Sequence, residues 1–391
     1  MIYSYVVLGA GRQGTAAAYD LARHGGAARV VLADANLEQA RVAAQRVNAL
    51  LGTDLVEATR VDVADHAAVV RVLRGIDAFL SAVPYYYNLD LTRAAIEAGA
   101  SMCDLGGNTD IVRQQQALDA EAKAKGISII PDCGQVPGMG TTLMVYAMNL
   151  LDKPREVTMW DGGLPQNPKP PFNYLLTFNI AGLTNEYAEP AVFIREGKVT
   201  KVAPMTELHV VEFPPPIGTL EAFVTGGGTG TAPWTFEGQV QTFQNFTVRY
   251  PGHFAQLRAY YDLGLWDLHP IRVGAVEVVP RDVFHALFEP RVTIPGERDL
   301  VVIRVRAVGQ KDGQEAEVVV ELVDFFDEVT GFTAMERTTG WDAAIVAAMM
   351  ARGETPRGAG SVETFVSPAA FVSELRKRGF NLSERVTILP Q

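Results

Sequence analysis

Two kinds of residue in this chain could do chemistry: a glycine-rich hexad suited to an anion, and titratable side chains placed after apolar runs. The hexad is Gly9-Ala10-Gly11-Arg12-Gln13-Gly14, directly after the apolar run Tyr5–Leu8 and directly before a helical stretch. In a strand–turn–helix setting the first glycine permits a tight turn and the second lets a pyrophosphate reach the main chain. The third lets helix and strand pack closely, while the helix N-terminus faces the negative charge. Asp34 ends the next apolar run, 20 residues beyond Gly14 (34 − 14). A carboxylate there accepts hydrogen bonds from ribose hydroxyls and repels a 2′-phosphate, and its neighbours Ala35 and Asn36 supply no arginine for one. The expected ligand is therefore NAD rather than NADP, with Arg12 and Gln13 among its contacts. Reading Asp34 as a cap for the helix from Leu37 leaves the spacing unexplained.

Further along, Asp62 and Val63 follow the third apolar run, where Asp62 either takes an adenine edge or forms a turn. Ser81-Ala82-Val83-Pro84 follow the fourth, and small residues there suit close approach of the nicotinamide half. Asp104, and Asp132 with Cys133, follow the fifth and sixth runs, at the carboxyl edge where open α/β sheets bind ligands. Each aspartate reads as a proton-transfer group or as a cap or turn. Cys133 is expected to line the nicotinamide pocket, and nothing flanking it suggests the depressed pKa of a nucleophile. In Val248-Arg249-Tyr250-Pro251-Gly252-His253, Arg249 is a fork for a carboxylate and His253 titrates near neutral pH, which makes it the first choice for proton transfer. Tyr250 would hydrogen-bond beside them; the bland alternative is a structural ion pair and a strand end. Glu186 suits an ammonium group, or is plain surface.

These residues need elements to hold them. Short apolar runs (5–8, 29–33, 59–61, 78–82, 101–104, 128–131) alternate with helical stretches (14–24, 37–51, 66–73, 89–98, 110–125), the pattern of a six-stranded doubly wound parallel sheet. After Gly140, Pro and Gly become frequent, and apolar residues alternate with polar ones at 175–180, 207–213 and 315–323, the pattern of antiparallel strands. Residues 162–171 and 226–233 read as loops reaching a cleft or as surface turns, and 341–350 and 368–378 as helices. The expected fold is α/β: a Rossmann domain over 1–135, completed by C-terminal helices within 336–391, and an α+β substrate and dimerisation domain with a mostly antiparallel sheet over 136–335.

Composition narrows the class. The 391 residues suffice for two cores, and a net charge of −11 with no basic stripe argues against nucleic acid. The two cysteines, Cys103 and Cys133, lack metal-site spacing, so no metal is expected. With no secretory signal and no run of about 18 apolar residues, neither export nor a membrane is expected, and the protein reads as cytoplasmic. The run 318–323, broken only by Glu321, is either a symmetric interface or core, and a homo-oligomer is expected.

Taken together, GAGRQG with Asp34, SAVPYYYN (81–88), CDLGGN (103–108), PDCGQVPGMG (131–140), DGGLP (161–165) and VRYPGH (248–253) resemble the saccharopine dehydrogenase and lysine 6-dehydrogenase family across almost the whole chain. The segments 178–187, 220–223 and 225–229 look closer to the lysine 6-dehydrogenase branch, and Thr229 in the last is counted among the substrate contacts. The resemblance implies oxidative deamination of the ε-amino group of L-lysine with NAD. A saccharopine-type or carboxyspermidine-type dehydrogenase is the alternative, for which Arg258, Arg272 and Lys169 are further cations in the substrate half. A non-catalytic dinucleotide-binding regulator is the remaining class. Taking a hydride from an amine-bearing carbon needs a neutral amine, a base and later an activated water.

Overall fold

The computed structural model describes residues 2–390. Its first unit alternates strand and helix: β1 (Tyr3–Leu8), α1 (Arg12–His24), β2 (Ala27–Asp34), α2 (Leu37–Leu51), β3 (Val56–Arg60) and α3 (His66–Leu73). It continues with β4 (Ala78–Ser81), α4 (Asn88–Ala98), β5 (Ser101–Asp104), α5 (Thr109–Gln116), α6 (Asp119–Lys125) and β6 (Ser128–Ile130). All strands of this sheet are parallel, in the order β3-β2-β1-β4-β5-β6, and the chain switches direction between β1 and β4. Period-two alternation buries both faces: Tyr5 and Val7 enter one core cluster, Val6 and Leu8 the other. Side-chain caps start the helices where the sequence supplies them, at Asn36, Asp65 and Asn108. The expected helix 110–125 is two helices, with Ala117 and Leu118 between them.

Beyond α7 (Met139–Asn149) the second unit begins with β7 (Lys153–Pro165), α8 (Ile180–Ala188), β8 (Ala191–Arg195), β9 (Lys198–Val202), β10 (His209–Phe213) and β11 (Gly218–Phe223). There follow α9 (Ala232–Phe236), β12 (Thr242–Arg249), α10 (His253–Asp262), the hairpin β13 (Ile271–Val273) and β14 (Val276–Val278), α11 (Pro280–Val292), β15 (Asp299–Lys311) and β16 (Gln314–Phe325). The chain returns through α12 (Ala334–Glu336), a π-helical turn at Arg337–Trp341, α13 (Asp342–Arg352), β17 (Gly358–Ala359), α14 (Val362–Phe365), α15 (Pro368–Lys377) and β18 (Asn381–Ile388). β17 adds a seventh parallel strand beside β6. The second sheet runs β10-β11-β12-β7-β15-β16-β18, antiparallel except for β12 on β7, with β8 beside β12 and β9 beside β8.

Several local expectations change. Residues 162–165 are the end of β7 rather than loop, and 175–180 lead into α8 without forming a strand. The C-terminal tail is not helical throughout: residues 381–388 pair with β16, so the chain returns to the first sheet and then ends on the second. Val318, Val320 and Leu322 point inward as core, not outward as an interface. No helix among the described residues is long and apolar enough to cross a membrane.

The two sheets share one core. Helix α7 is buried on nearly every side, as an apolar helix between two layers must be, and Leu143, Met144 and Ala147 join the same cluster as Met159, Ile303 and Val305 of the second sheet. That packing fixes the carboxyl edge of the first sheet against the inner face of β7 and β12, which is where the chemistry-bearing residues meet.

Candidate functional site

The glycine hexad forms the expected cradle. Gly9 has φ +102°, and a Cβ on it would lie 2.6 Å from Ala82 O, so the turn and the close approach of the β4 loop both require glycine. A Cβ on Gly14 would strike Gly9 O, whereas nothing lies within 4 Å of the Cβ position of Gly11. The open ground is at the N-terminus of α1, as a pyrophosphate requires. Asp34 does not cap α2, since Asn36 does so; its two carboxylate oxygens accept from Ala10 N and Asn36 N, both at 2.8 Å. This leaves further lone pairs for ribose hydroxyls. Arg12 Nε donates to Glu336 at 2.9 Å, tying the hexad to the returning chain, and the Gln13 Oε1 has no partner among the described residues. Ser81 Oγ donates to Asn88, and Ala82 N donates to Leu8 O. Val83 is half-buried and Pro84 exposed. Asp62 accepts from Ala64 N and closes a turn with Asp65 N, the second of its two readings, while Val63 packs partly into the core beside it.

Cys133 does not line the pocket. Its side chain has no exposed surface and lies in the core with Cys103, and burial pushes the thiol well above the usual range. Asp104 is also fully buried, and its carboxylate accepts from Gly106 N (2.8 Å), Gln115 Nε2 (2.8 Å) and Asp132 N (3.3 Å). It holds the turns after β5 and β6 together and positions Asp132 rather than meeting a ligand. Asp132 itself has φ +61°, uncommon for a residue with a side chain, and its carboxyl makes no hydrogen bond with the described residues. It sits between Gly106 and Gly230: a Cβ on the first would strike Asp132 Oδ1, and one on the second would lie 2.9 Å from Oδ2. Burial, then the charges of Asp104 and Glu363, hold its pKa well above the carboxylate range.

On the facing sheet, strand alternation sorts the side chains. Phe246, Val248 and Tyr250 face a core cluster, so Tyr250 points away from the cleft, contrary to expectation. Asn245, Thr247 and Arg249 take the other face, in register with β7, where Asp161 pairs with Thr247. Arg249 is 3% exposed; Nε donates to Tyr187 OH at 2.9 Å and Nη1 to Val248 O at 2.9 Å, and Nη2 has no partner among the described residues. The rings of Tyr174 and Tyr187 flank its guanidinium at 5.4 and 5.9 Å.

His253 overturns the first choice for proton transfer. It has no exposed surface, and burial followed by the Arg249 charge lowers its pKa to about 3. Its Nδ1 lies 3.4 Å from Phe172 O, an acceptor, so Nδ1 carries the proton and Nε2 accepts from Tyr187 OH at 3.1 Å. The chain Arg249 to Tyr187 to His253 orients the guanidinium, and His253 is a positioning residue. Thr229 likewise spends its hydroxyl on Val192 O at 2.7 Å.

Two acids face Arg249. Asp161 receives Asn245 Nδ2 at 3.4 Å, and burial raises it to about 6 against the opposing pull of Arg249. Glu186 lines the cleft with part of its surface open, and burial raises it to about 8, again opposed by Arg249. Around them Asn245 Oδ1, Gln135 Nε2 and Tyr174 OH are buried without partners among the described residues, polar atoms that a ligand would satisfy. Sequence reasoning placed Arg249 and Glu186 here and missed Asp161, Asn245, Gln135, Tyr174 and Tyr187. Asp161, Gln135 and Tyr187 lie in motifs that carried the resemblance, and the alternation of β12 singles out Asn245. Tyr174 gave no signal.

A pH prediction follows from Glu186. Its raised pKa favours the folded state below the ordinary carboxyl range, and that contribution is lost as pH rises toward about 8. Ionised Glu186 holds a cation better, so KM for an ammonium-bearing ligand is expected to fall as pH rises through that range. Glu186→Gln is expected to remove this dependence from KM in steady-state profiles while leaving the profile of kcat in place.

The comparisons with known proteins agree with this architecture. A family model described as the saccharopine dehydrogenase NADP binding domain matches residues 5–130, and one described as the saccharopine dehydrogenase C-terminal domain matches residues 134–380. The mitochondrial alpha-aminoadipic semialdehyde synthase of Bos taurus is 23% identical over 350 residues, covering 71% of this chain and 37% of that protein. The saccharopine dehydrogenase [NADP(+), L-glutamate-forming] of Pyricularia oryzae is 25% identical over 215 residues, 52% of this chain and 46% of that protein. The chain thus spans less than half the length of these two relatives. The apo saccharopine dehydrogenase (L-Glu forming) of Saccharomyces cerevisiae superposes with a TM-score of 0.80 at 19% identity, over 98% of this chain and all of that one, which establishes the shared fold.

Proposed function

The chain belongs to the saccharopine dehydrogenase family, and from that premise we propose that it oxidises an amino acid at a carbon bearing nitrogen with a nicotinamide dinucleotide, its substrate being L-lysine at the ε-carbon. One observation carries the choice: a buried guanidinium, Arg249, is within electrostatic reach of two acids, Asp161 and Glu186, and so complements one carboxylate beside one ammonium. The other cations considered for the substrate half are engaged or remote. Arg258 pairs with Asp262, Lys169 with Glu297, and Arg272 lies on the exposed hairpin strand β13. The reaction balances as R–CH2–NH3+ with NAD+ and water giving R–CHO, NH4+, NADH and H+.

A bound dinucleotide supplies the hydride acceptor. The chain's own residues do the rest: Arg249 takes the α-carboxylate, Glu186 and Asp161 the α-ammonium, and Asp132, in its ionised form, takes the proton that makes the distal amine neutral, loses it to solvent, and later draws one from the attacking water and returns it to the departing nitrogen. Asp34 favours NAD. Asp34→Ser is expected to lower the NAD-to-NADP ratio of kcat/KM by about tenfold or more, read from initial rates with each dinucleotide.

A second reading, a secondary amine with further carboxylates, is favoured by Arg113. Its guanidinium lies 3.9 Å from the Trp234 ring centroid, in an open groove that also contains Thr231, next to the Gly230 that covers Asp132. The test is reduced-dinucleotide absorbance with L-lysine, ornithine, saccharopine and no amine, each with NAD and NADP. Turnover with lysine supports the first reading, turnover with saccharopine alone replaces it with the second, and silence with every amine despite dinucleotide binding contradicts both. In solution the protein is proposed to be a homo-oligomer, cytoplasmic in location.

A further inference from the structure

Three acids from three elements converge at the reacting end of the cleft, and they are not alike. Asp104 at the end of β5 has its carboxylate saturated by three donors. Glu363 in α14 is 7% exposed, and its Oε1 accepts from Thr231 Oγ1 at 2.9 Å and Thr235 Oγ1 at 2.7 Å. Asp132 is 5% exposed, its carboxyl makes no hydrogen bond with the described residues, and it faces the space between Gly106 and Gly230. The charged groups that act on it are Asp104 and Glu363, and no cation offsets them.

The place of Glu363 in the chain is what gives it leverage. It sits on the segment that returns from the second unit, immediately after β17 joins the first sheet. Its two threonine donors belong to the stretch 229–236 of the second unit, directly after Gly230, where an added Cβ would lie 2.9 Å from Asp132 Oδ2. One carboxylate therefore ties the returning chain to the loop that covers Asp132. Thr231 and Thr235 also line the solvent-open groove of about 470 Å³, together with Arg113, Trp234 and Ser361.

We infer that Glu363 is a positioning residue for Asp132: it holds the Gly230 loop over that carboxyl and supplies the negative charge that makes Asp132, rather than Asp104, the proton carrier of the site. A like charge within electrostatic reach favours the protonated form of its neighbour. Asp104 has three donors that stabilise its ionised form, so Asp132 is the carboxyl of the pair left free to exchange a proton. The inference rests on Asp132 being the acid–base group of the proposed reaction, and it can be tested without any turnover.

The test is an infrared pH titration of the protonated-carboxyl band of the ligand-free protein, assigned to Asp132 by its loss in Asp132→Asn. Glu363→Gln is expected to move that titration to lower pH by on the order of one unit. Glu363→Asp, which keeps the charge, is expected to keep it close to that of the parent, and unchanged dinucleotide affinity in both variants shows that they fold. The acid limb of kcat/KM is then expected to move with the infrared titration. An unmoved titration in Glu363→Gln, or the same shift in Glu363→Asp, would overturn the inference. If no amine proved to be a substrate the proposed reaction would fall, but the titration would still decide the role of Glu363.

Discussion

Asp132→Asn is expected to lower kcat for the amine by about 10²–10⁴, the range a positioned acid–base group contributes, and to leave dinucleotide affinity within about twofold. The reasoning is geometric first. Among the polar side chains at the carboxyl edge of the first sheet, Asp104 is fully buried and saturated, Cys133 faces the core and Ser81 is bonded to Asn88. Asp132 is left with a carboxyl that no donor among the described residues satisfies. Burial and the charges of Asp104 and Glu363 raise its pKa above that of an ordinary aspartate, which makes it a stronger base once ionised and suits a group that must both take and return a proton. Asparagine keeps the size and the backbone setting, including the positive φ that Asn tolerates as Asp does. A loss in kcat therefore reports proton transfer and not collapse of the turn. A rate within threefold of the parent would move the acid–base role to another group.

Arg249→Met is expected to cut kcat/KM for the amino acid by about 10³, in line with the 2–5 kcal/mol attached to truncating one partner of a buried hydrogen-bonded charge pair. Methionine keeps the aliphatic bulk, so the rings of Tyr174 and Tyr187 still have a neighbour. What is lost is the proposed fork for the α-carboxylate and the charge that pulls Asp161 and Glu186 down. Both acids should then hold their protons to higher pH, which blunts the stability cost of the substitution. The discriminating control is 1,5-diaminopentane, which keeps the distal amine and lacks the carboxylate. If Arg249 reads the carboxylate, parent and variant should turn over the diamine at similar, low efficiency. An equal fall for lysine and diamine would assign Arg249 to the architecture of the cleft instead.

How far the sequence alone carries this account differs between the two halves of the site. The dinucleotide cradle was legible because its geometry is local: a glycine that must adopt φ +102° and one that must let strand and helix touch leave a fixed trace in six residues. The strand and helix order of the first sheet followed from periodicity for the same reason. The substrate half depends on which face of a strand a residue takes. Arg249 and Tyr250 are adjacent and equally plausible as letters, yet one faces the cleft and the other a core cluster, because β12 ends with odd positions on the cleft side. His253 was chosen for its ordinary pKa, and only its lack of exposed surface reveals that it cannot serve. Asp161 lies 88 positions from Arg249 (249 − 161), and the parallel pairing of β12 on β7 unites them, a non-local contact that no short pattern contains. The C-terminal return was expected as helices alone; β17 and β18 were missed because the first is two residues long and the second is mostly exposed.

The central claim is that the cleft holds an amino acid by its zwitterionic end and oxidises the carbon at its far end. It is tested most directly by incubating the purified protein and NAD with L-lysine labelled with ¹⁵N at either the α- or the ε-position and following the ammonium released by NMR. The account predicts ¹⁵N-ammonium from the ε-label alone, in step with the NADH formed. Ammonium from the α-label, or NADH formed with no ammonium from either, would contradict it.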